Sequence, residues 1–217
     1  MGVQRGMKYN GAIDRMKIKP EQTHIINNGQ GILKVHNVFD AIPEFYRNAD
    51  YVVVDPPWNR GNLKAFYTKA DMELDREFED FLDRLFFILK EIGVNSCYME
   101  FGNQYKHIIQ DKMAKVFDSV RVIDSFYYKT KPCVFVIGEN KGHEVVLENK
   151  PKDELLVIEE IIAKKQGTVL DFCLGRGAVS RNALKYGRKF IGTELNINRL
   201  AVSLEDLKKM GAEIRSE

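Results

Sequence analysis

"TVLDFCLGRGAVSRNALKYGRKFIGTEL", residues 168–195, is the stretch that decides how this chain folds. Its opening run, TVLDFC (168–173), is short, apolar and β-rich and predicts a buried strand ending near Asp171. A loop with Gly175 and Gly177 follows, then a helical stretch over 177–186, then a second strand, KFIGTEL (189–195), which carries Glu194 near its end. Strand, glycine turn, helix and strand make the layout of a nucleotide-type site. The glycines let the backbone approach a ligand, and the acid on the second strand can accept hydrogen bonds from ribose hydroxyls. The separation of loop and acid is close to the roughly 20 residues such sites use.

Two details narrow the ligand. The third glycine of a dinucleotide fingerprint is missing, with Ser180 in its place, and Asp171 would crowd a pyrophosphate rather than attract it. Both favour a ligand with an amino group and a ribose over NAD. S-adenosylmethionine fits this description: Asp171 can hold its ammonium, directly or through water, and Glu194 its ribose. A nicotinamide-linked dehydrogenase is further disfavoured because no hydride-site constellation is present.

Outward from this unit, short β-rich runs alternate with helical patterns. Strands are predicted at 32–37, 51–55, 95–101, 121–129 and 133–139 besides the two above. Helical spacing is clearest in EFEDFLDRLFFILKEIG (77–93), where Phe78, Phe81, Leu82, Leu85, Leu89 and Ile92 share one face ahead of a glycine stop. PKDELLVIEEIIAKKQG (151–167) predicts a second helix opened by its proline, and others are expected over 103–117, 177–186 and 197–210. The alternation implies an α/β fold with a mostly parallel sheet and helices on both faces. Strands 121–129 and 133–139 lie too close for a crossover and are expected as an antiparallel hairpin. Residues 1–30 read as a poorly patterned arm, and 31–217 as a single domain.

Composition excludes several classes. The 217 residues are 44% hydrophobic and 29% charged with net charge +2, as expected of an ordinary globular chain. Basic residues gather in 176–189 and acids in 71–80, a pattern most often found on solvated helix faces. Cys97, Cys133 and Cys173 are dispersed and odd in number, which argues for reduced thiols, and no metal-ligand spacing occurs. With no signal-like or membrane-length apolar run, a soluble, cytoplasmic protein is expected.

The second informative stretch is YVVVDPPWNR (51–60), a buried strand running into Asp55, Pro56, Pro57 and Trp58. Proline has no backbone N–H, so this loop offers carbonyl oxygens and a carboxylate, all acceptors. Two adjacent acceptors suit an NH2 group. Hydrogen bonds from both N–H groups of a base's exocyclic amine, to Asp55 and the Pro56 carbonyl, favour a more tetrahedral nitrogen whose lone pair can attack a sulfonium methyl. Trp58 can stack on an extruded base, and positioning and electrostatics suffice without a metal.

These residues resemble the amino-group DNA methyltransferases (N6-adenine and N4-cytosine), in particular the circularly permuted class in which the catalytic motif precedes the cofactor motif. DPPWN (55–59) matches the family's (D/N/S)PP(Y/F/W) tetrapeptide, NKPKDELLVIEEII (149–162) its KPxELL helix, and LDFCLGRGAVSRNALKYGRKFIGTEL (170–195) its LDPFxGSGTTxxAAxxxGRxxIGxE run. The resemblance implies a Rossmann-like, seven-stranded, mostly parallel sheet with one antiparallel edge hairpin. It also implies neighbouring strands at 168–173 and 51–55. It assigns catalysis to Asp55, Pro56, Pro57 and Trp58, and S-adenosylmethionine binding to Asp171, Cys173, Gly175, Gly177, Glu194 and Asn37, with no metal. Asn37 and Val38 stand where the family has an acid after its third strand, and Phe172, Cys173, Arg176 and Ala178 also depart from the pattern. A cation at Arg176 suits a sulfonium only if it points outward.

The adenine N6 position in DNA is the expected target, with cytosine N4, RNA adenine or a catalytically silent cofactor-binding subunit as alternatives. No segment has the size of an inserted recognition domain. The stretch 59–76 supplies candidate nucleic-acid contacts in Asn59, Arg60, Asn62, Lys64 and Tyr67. Low sequence specificity, a homodimer or a partner subunit would then account for target choice, and a phage or mobile-element enzyme would suit the small size.

Overall fold

The computed structural model describes residues 10–148 and 150–217. Among these residues ten strands form one sheet: β1 (Thr23–Ile26), β2 (Gly31–Val35), β3 (Tyr51–Val54), β4 (Ser96–Gly102), β5 (Ser119–Tyr127), β6 (Lys131–Glu139), β7 (Lys152–Asp153), β8 (Thr168–Asp171), β9 (Lys189–Glu194) and β10 (Ile214–Ser216). The helices are α1 (Asn10–Met16), α2 (Arg60–Lys69), α3 (Phe78–Ile92), α4 (Lys106–Met113), α5 (Glu154–Lys164), α6 (Ala178–Lys185) and α7 (Ile197–Lys209). Across the sheet the order is β10-β1-β2-β9-β8-β3-β4-β6-β5-β7.

The five central strands, β2, β9, β8, β3 and β4, are mutually parallel. Antiparallel strands extend the sheet on both sides, β1 and β10 beyond β2, β6 and β5 beyond β4. The α/β class, the parallel centre and the β5–β6 hairpin are as the sequence predicts. The count of seven strands is corrected to ten. The seven expected strands are all present, and the three additions are pieces of two to four residues, too short to show alternation. The expected arm is also revised from Asn10 onward, where α1 packs on α7 and β1 pairs with β2 and β10. Residues 1–9 of that arm, and Asn149 of the 149–162 match, lie outside the described residues.

Side chains of a strand alternate between faces, so a sheet covered on both sides builds two cores. In β3, Tyr51 and Val53 enter the core shared with α1, α5, α6 and α7, whereas Val52 and Val54 enter the one shared with α2, α3 and α4. Helix α3 keeps its predicted apolar face. Glu77 and Asp80 form a reciprocal capping box at its start, and Gly93 closes it in the left-handed conformation at φ 68°. Helix α5 starts three residues later than Pro151 suggests. Asp153 caps it by accepting from the Leu155 N–H at 3.2 Å, while Lys152 and Asp153 pair with β5.

The contact that assembles the two ends of the chain is the β3–β8 ladder, Tyr51 with Val169 and Val52 with Leu170. Asp50 extends it. Its N–H donates to the Thr168 carbonyl at 2.9 Å, and its carboxylate accepts the Thr168 N–H at 2.6 Å. The chain reaches this position through Gly167 at φ 94°, where an added Cβ would lie 2.4 Å from Asp50 Oδ2. Gly167→Ala is therefore expected to destabilise the protein by more than about 1 kcal/mol, read as a lower denaturation midpoint; an unchanged midpoint would show that the seam tolerates a shift.

Candidate active site

A cavity of about 400 Å³ opens at the carboxyl ends of the central strands. That is where ligands enter open parallel sheets, and the volume suits a small ligand. Its wall joins the two motifs read from the sequence. Asp55, Pro56, Pro57 and Trp58 come from the end of β3, Asp171 from the end of β8, Cys173 and Gly175 from the loop after it, Glu194 from β9, and Asn37 from the loop after β2.

The Asp55–Trp58 tetrapeptide is held tightly. Pro56 and Pro57 are buried, and the half-buried Trp58 donates its indole N–H to Asp55 Oδ1 at 2.9 Å. Gly102 lets Trp58 lie close, since a Cβ there would meet the indole at 3.0 Å. Lys131 Nζ stands 4.7 Å from the indole centroid and the Tyr127 ring 5.1 Å away. Trp58 thus also orients Asp55, a function beyond the stacking read from its type. The Asp55 carboxylate is accessible from the cavity, yet protein surrounds it on the other sides. Burial drives its pKa up to about 7 and Glu154 adds to the rise, whereas the Trp58 bond and Arg199 oppose it.

The glycine loop divides its labour. Gly175, at φ 57°, donates its N–H to Glu194 Oε2 at 2.7 Å, and Asn196 donates to Oε1 at 2.9 Å. Gly177 is a packing residue: it starts α6 at φ 76°, and a Cβ there would lie 2.1 Å from Ser203 Oγ. It does not line the cavity, where the sequence expects it as a ligand contact. Asp171 is only 4% exposed and accepts the Cys173 N–H at 3.0 Å. Burial pushes the Asp171 pKa well above the carboxylate range and raises that of Glu194, against the pull of Arg199 and three backbone N–H groups. Such carboxylates favour a cationic ligand, whose charge would restore their ionised form. Arg176 is exposed at the cavity wall, and its carbonyl accepts from Arg181.

The expected nucleic-acid residues separate into two groups. Residues 60–69 form α2 rather than a loop. Asn59 caps it by accepting the Asn62 N–H at 2.8 Å, and Arg60 pairs with Glu77 at 2.9 Å. Asn62 and Lys64 are exposed, Asn62 at the cavity. Tyr67 is corrected: it is 4% exposed and donates to Asn37 Oδ1 at 2.7 Å, so it belongs to the cavity wall and not to an outer edge. The basic run 176–189 is largely engaged internally, with Arg181 near Asp206, Lys185 on Glu159, and Arg188 on the end of α5 and Gln166.

Several wall residues have no motif to announce them. Glu100, Tyr127, Lys131, Phe66 and Arg199 all face the cavity, as does Glu154 from the 149–162 match, to which the sequence assigns no role. Arg199 stacks on Phe66 at 4.4 Å. Glu100 does carry a sequence signal, an acid near the end of a predicted strand, as Asp171 and Glu194 do. Among the described residues no cluster of His, Cys, Asp or Glu is arranged to hold a metal ion, and no helix is long and apolar enough to cross a membrane.

No protein-family model matches the chain, and no curated protein matches its sequence. Solved structures do match in fold. M1.HpyAVI superposes with a TM-score of 0.57 at 17% identity, over 81% of this chain and 97% of that one. TTHA0409 of Thermus thermophilus, complexed with S-adenosyl-L-methionine, gives 0.58 at 17% over 82% and 93%. The cytosine-N4-specific PvuII DNA methyltransferase gives 0.54 at 13% over 80% and 85%. The chain shares the fold of these proteins.

The raised Asp55 pKa has a stability signature. Folding lifts it from 3.8 to about 7, so between those values the folded chain holds a proton that the unfolded chain releases. This contribution to stability falls as pH rises through that window. Asp55→Asn, which can still accept from Trp58, should gain thermal stability relative to wild type between pH 4 and pH 8 (roughly the span of the shift); a parallel pH dependence of the two melting curves would refute the shift.

Proposed function

We propose that this chain is an S-adenosylmethionine-dependent methyltransferase acting on the exocyclic amine of a nucleobase in DNA, with adenine N6 as its target. The observation that carries this reading is the meeting, in one cavity, of the Asp55–Trp58 loop with the Asp171–Gly175 loop and Glu194. The fold shared with a cytosine-N4-specific DNA methyltransferase and with a protein bound to S-adenosyl-L-methionine supports it.

The residues present fit the cofactor. Asp171, buried and with one backbone donor, suits an ammonium; Glu194, whose two oxygens each accept one N–H, keeps lone pairs for ribose hydroxyls; Gly175 leaves room for close approach. Bound there, S-adenosylmethionine supplies an electrophilic methyl group. The protein's part is to orient the amine. Ionised Asp55, fixed by Trp58, accepts one N–H and the Pro56 carbonyl the other, which holds the nitrogen lone pair free of the ring. When the nitrogen gains a methyl group it must lose a proton. The N–H bond breaks toward the Asp55 carboxylate, whose proton affinity near neutrality suits it to accept and then release that proton. Trp58 and Tyr127, with Lys131 beside them, provide an aromatic and cationic wall for the base, and Asn62 and Lys64 on α2 offer phosphate or sugar contacts opposite.

Methyl-labelled S-adenosylmethionine, incubated with the protein and DNA or RNA and followed by nucleoside analysis, should yield N6-methyladenine from DNA. N4-methylcytosine would move the target base, and transfer to RNA alone would move the polymer. Tight cofactor binding without transfer to either would support a silent subunit instead. Asp55→Ala should slow transfer by about 100- to 1,000-fold, the range for losing one preorganised polar contact at the reacting centre. Glu194→Ala should weaken cofactor binding by about 10-fold or more in calorimetry, and an unchanged affinity would count against its ribose role.

A further inference from the structure

Glu100 is a buried acid that the chemistry above leaves unused. It sits on β4, is 1% exposed, and lines the cavity. Strands β3 and β4 pair in parallel register through Val54 and Met99. One residue further along each chain brings Asp55 and Glu100 side by side, at about the 4.8 Å spacing of paired strands. Val53 and Tyr98, two positions earlier on each chain, face the same core, so Asp55 and Glu100 continue the same side of the sheet.

Two neighbouring carboxyl groups in such a place do not both ionise. Burial first, then the charge of Asp55, holds the Glu100 proton up to about 10, well above Asp55. The other titratable groups that act on it, Glu154 on α5, Asp153 at its cap and Cys133 on β6, with Tyr127 of β5 beside them, include no cation. The Cys133 thiol, itself kept protonated by burial, donates to Glu100 Oε1 at 3.6 Å. Oε1 is then the carbonyl oxygen of a neutral acid, and the proton belongs on Oε2. Among the described residues Cys133 is the one hydrogen-bond partner of the Glu100 side chain, so its O–H is available to a ligand.

We propose that Glu100, as a neutral carboxylic acid, donates its O–H to the ring nitrogen beside the methylated amine and so restricts the site to bases that carry an unprotonated nitrogen there. Adenine and cytosine carry one at N1 and N3. Guanine, thymine and uracil present an N–H at the corresponding position, which would set donor against donor. Asp55 accepting from the amine and Glu100 donating to its ring neighbour together read that edge. Because the acid keeps its proton, the ring is hydrogen-bonded and not protonated, and the amine's lone pair remains available for attack. The inference rests on the proposed amine chemistry.

The test compares methyl transfer to DNA carrying the natural base or its carbon analogue, 1-deazaadenine or 3-deazacytosine, by wild type, Glu100→Gln and Glu100→Met. Wild type should lose about 10- to 100-fold on the deaza base, as expected for one buried hydrogen bond. Glu100→Gln, neutral and still a donor, should keep most of that discrimination. Glu100→Met should be slowed about 10- to 100-fold on the natural base and treat the two bases alike, which separates the hydrogen bond from any intrinsic change in amine reactivity. Cofactor affinity should be unchanged in both variants. Equal rates on the two bases by wild type, or full discrimination by Glu100→Met, would overturn the inference while leaving the methyltransferase reading intact. Failure of wild type to methylate either natural base overturns that reading and the inference with it. The wild-type comparison decides even if a variant does not fold.

Discussion

The seam between β3 and β8 is the contact on which the site depends. Two residue pairs and the bonds of Asp50 to Thr168 join positions 118 apart in the sequence. One side of the seam runs into the acceptor-rich loop at Asp55, and the other into the glycine loop after Asp171. Neither loop makes the cavity alone: the first brings a carboxylate beside two prolines, the second a glycine turn beside a buried acid. Parallel pairing puts both at the same end of the sheet, which no local property of either loop could do.

That arrangement has an electrostatic consequence. Glu194, Asp171, Asp55 and Glu100 stand at the carboxyl ends of β9, β8, β3 and β4, four consecutive strands of the sheet. Burial raises the proton affinity of all four. The protein therefore holds a row of acids whose charged forms burial disfavours, and their neighbours differ. Glu194 has backbone N–H groups and Arg199 to steady its charge, Asp55 has the indole N–H, and Glu100 has a thiol alone. Unequal proton affinities in neighbouring carboxyls are what the proposed division of roles, acceptor at Asp55 and donor at Glu100, would require.

Much of this is legible in the sequence where function and local structure coincide. A strand followed by Asp-Pro-Pro-Trp, or by Gly-Arg-Gly and a helix, announces itself because the same residues make the turn and line the cavity. The resemblance to the amino-group DNA methyltransferases implies the fold that is observed. Legibility ends where tertiary packing assigns the role. Gly177 looks like a ligand glycine and is one required by Ser203, and Tyr67 looks like an exposed aromatic and is a buried partner of Asn37. Arg199 and Phe66 come from separate helices and meet only in the folded chain. Strands β1, β7 and β10 leave no mark in the sequence because pieces of two to four residues acquire their pairing from the sheet edge and not from their own pattern.

Trp58 is the single tryptophan of the chain. Its indole lies between the Asp55 carboxyl, a lysine ammonium and a tyrosine ring. All of the protein's indole emission therefore originates at the Asp55–Trp58 loop, from a fluorophore hydrogen-bonded to the Asp55 carboxyl at the cavity wall. The loop carries its own optical reporter, so a change at Asp55 or in the cavity beside it can be followed in real time without a label.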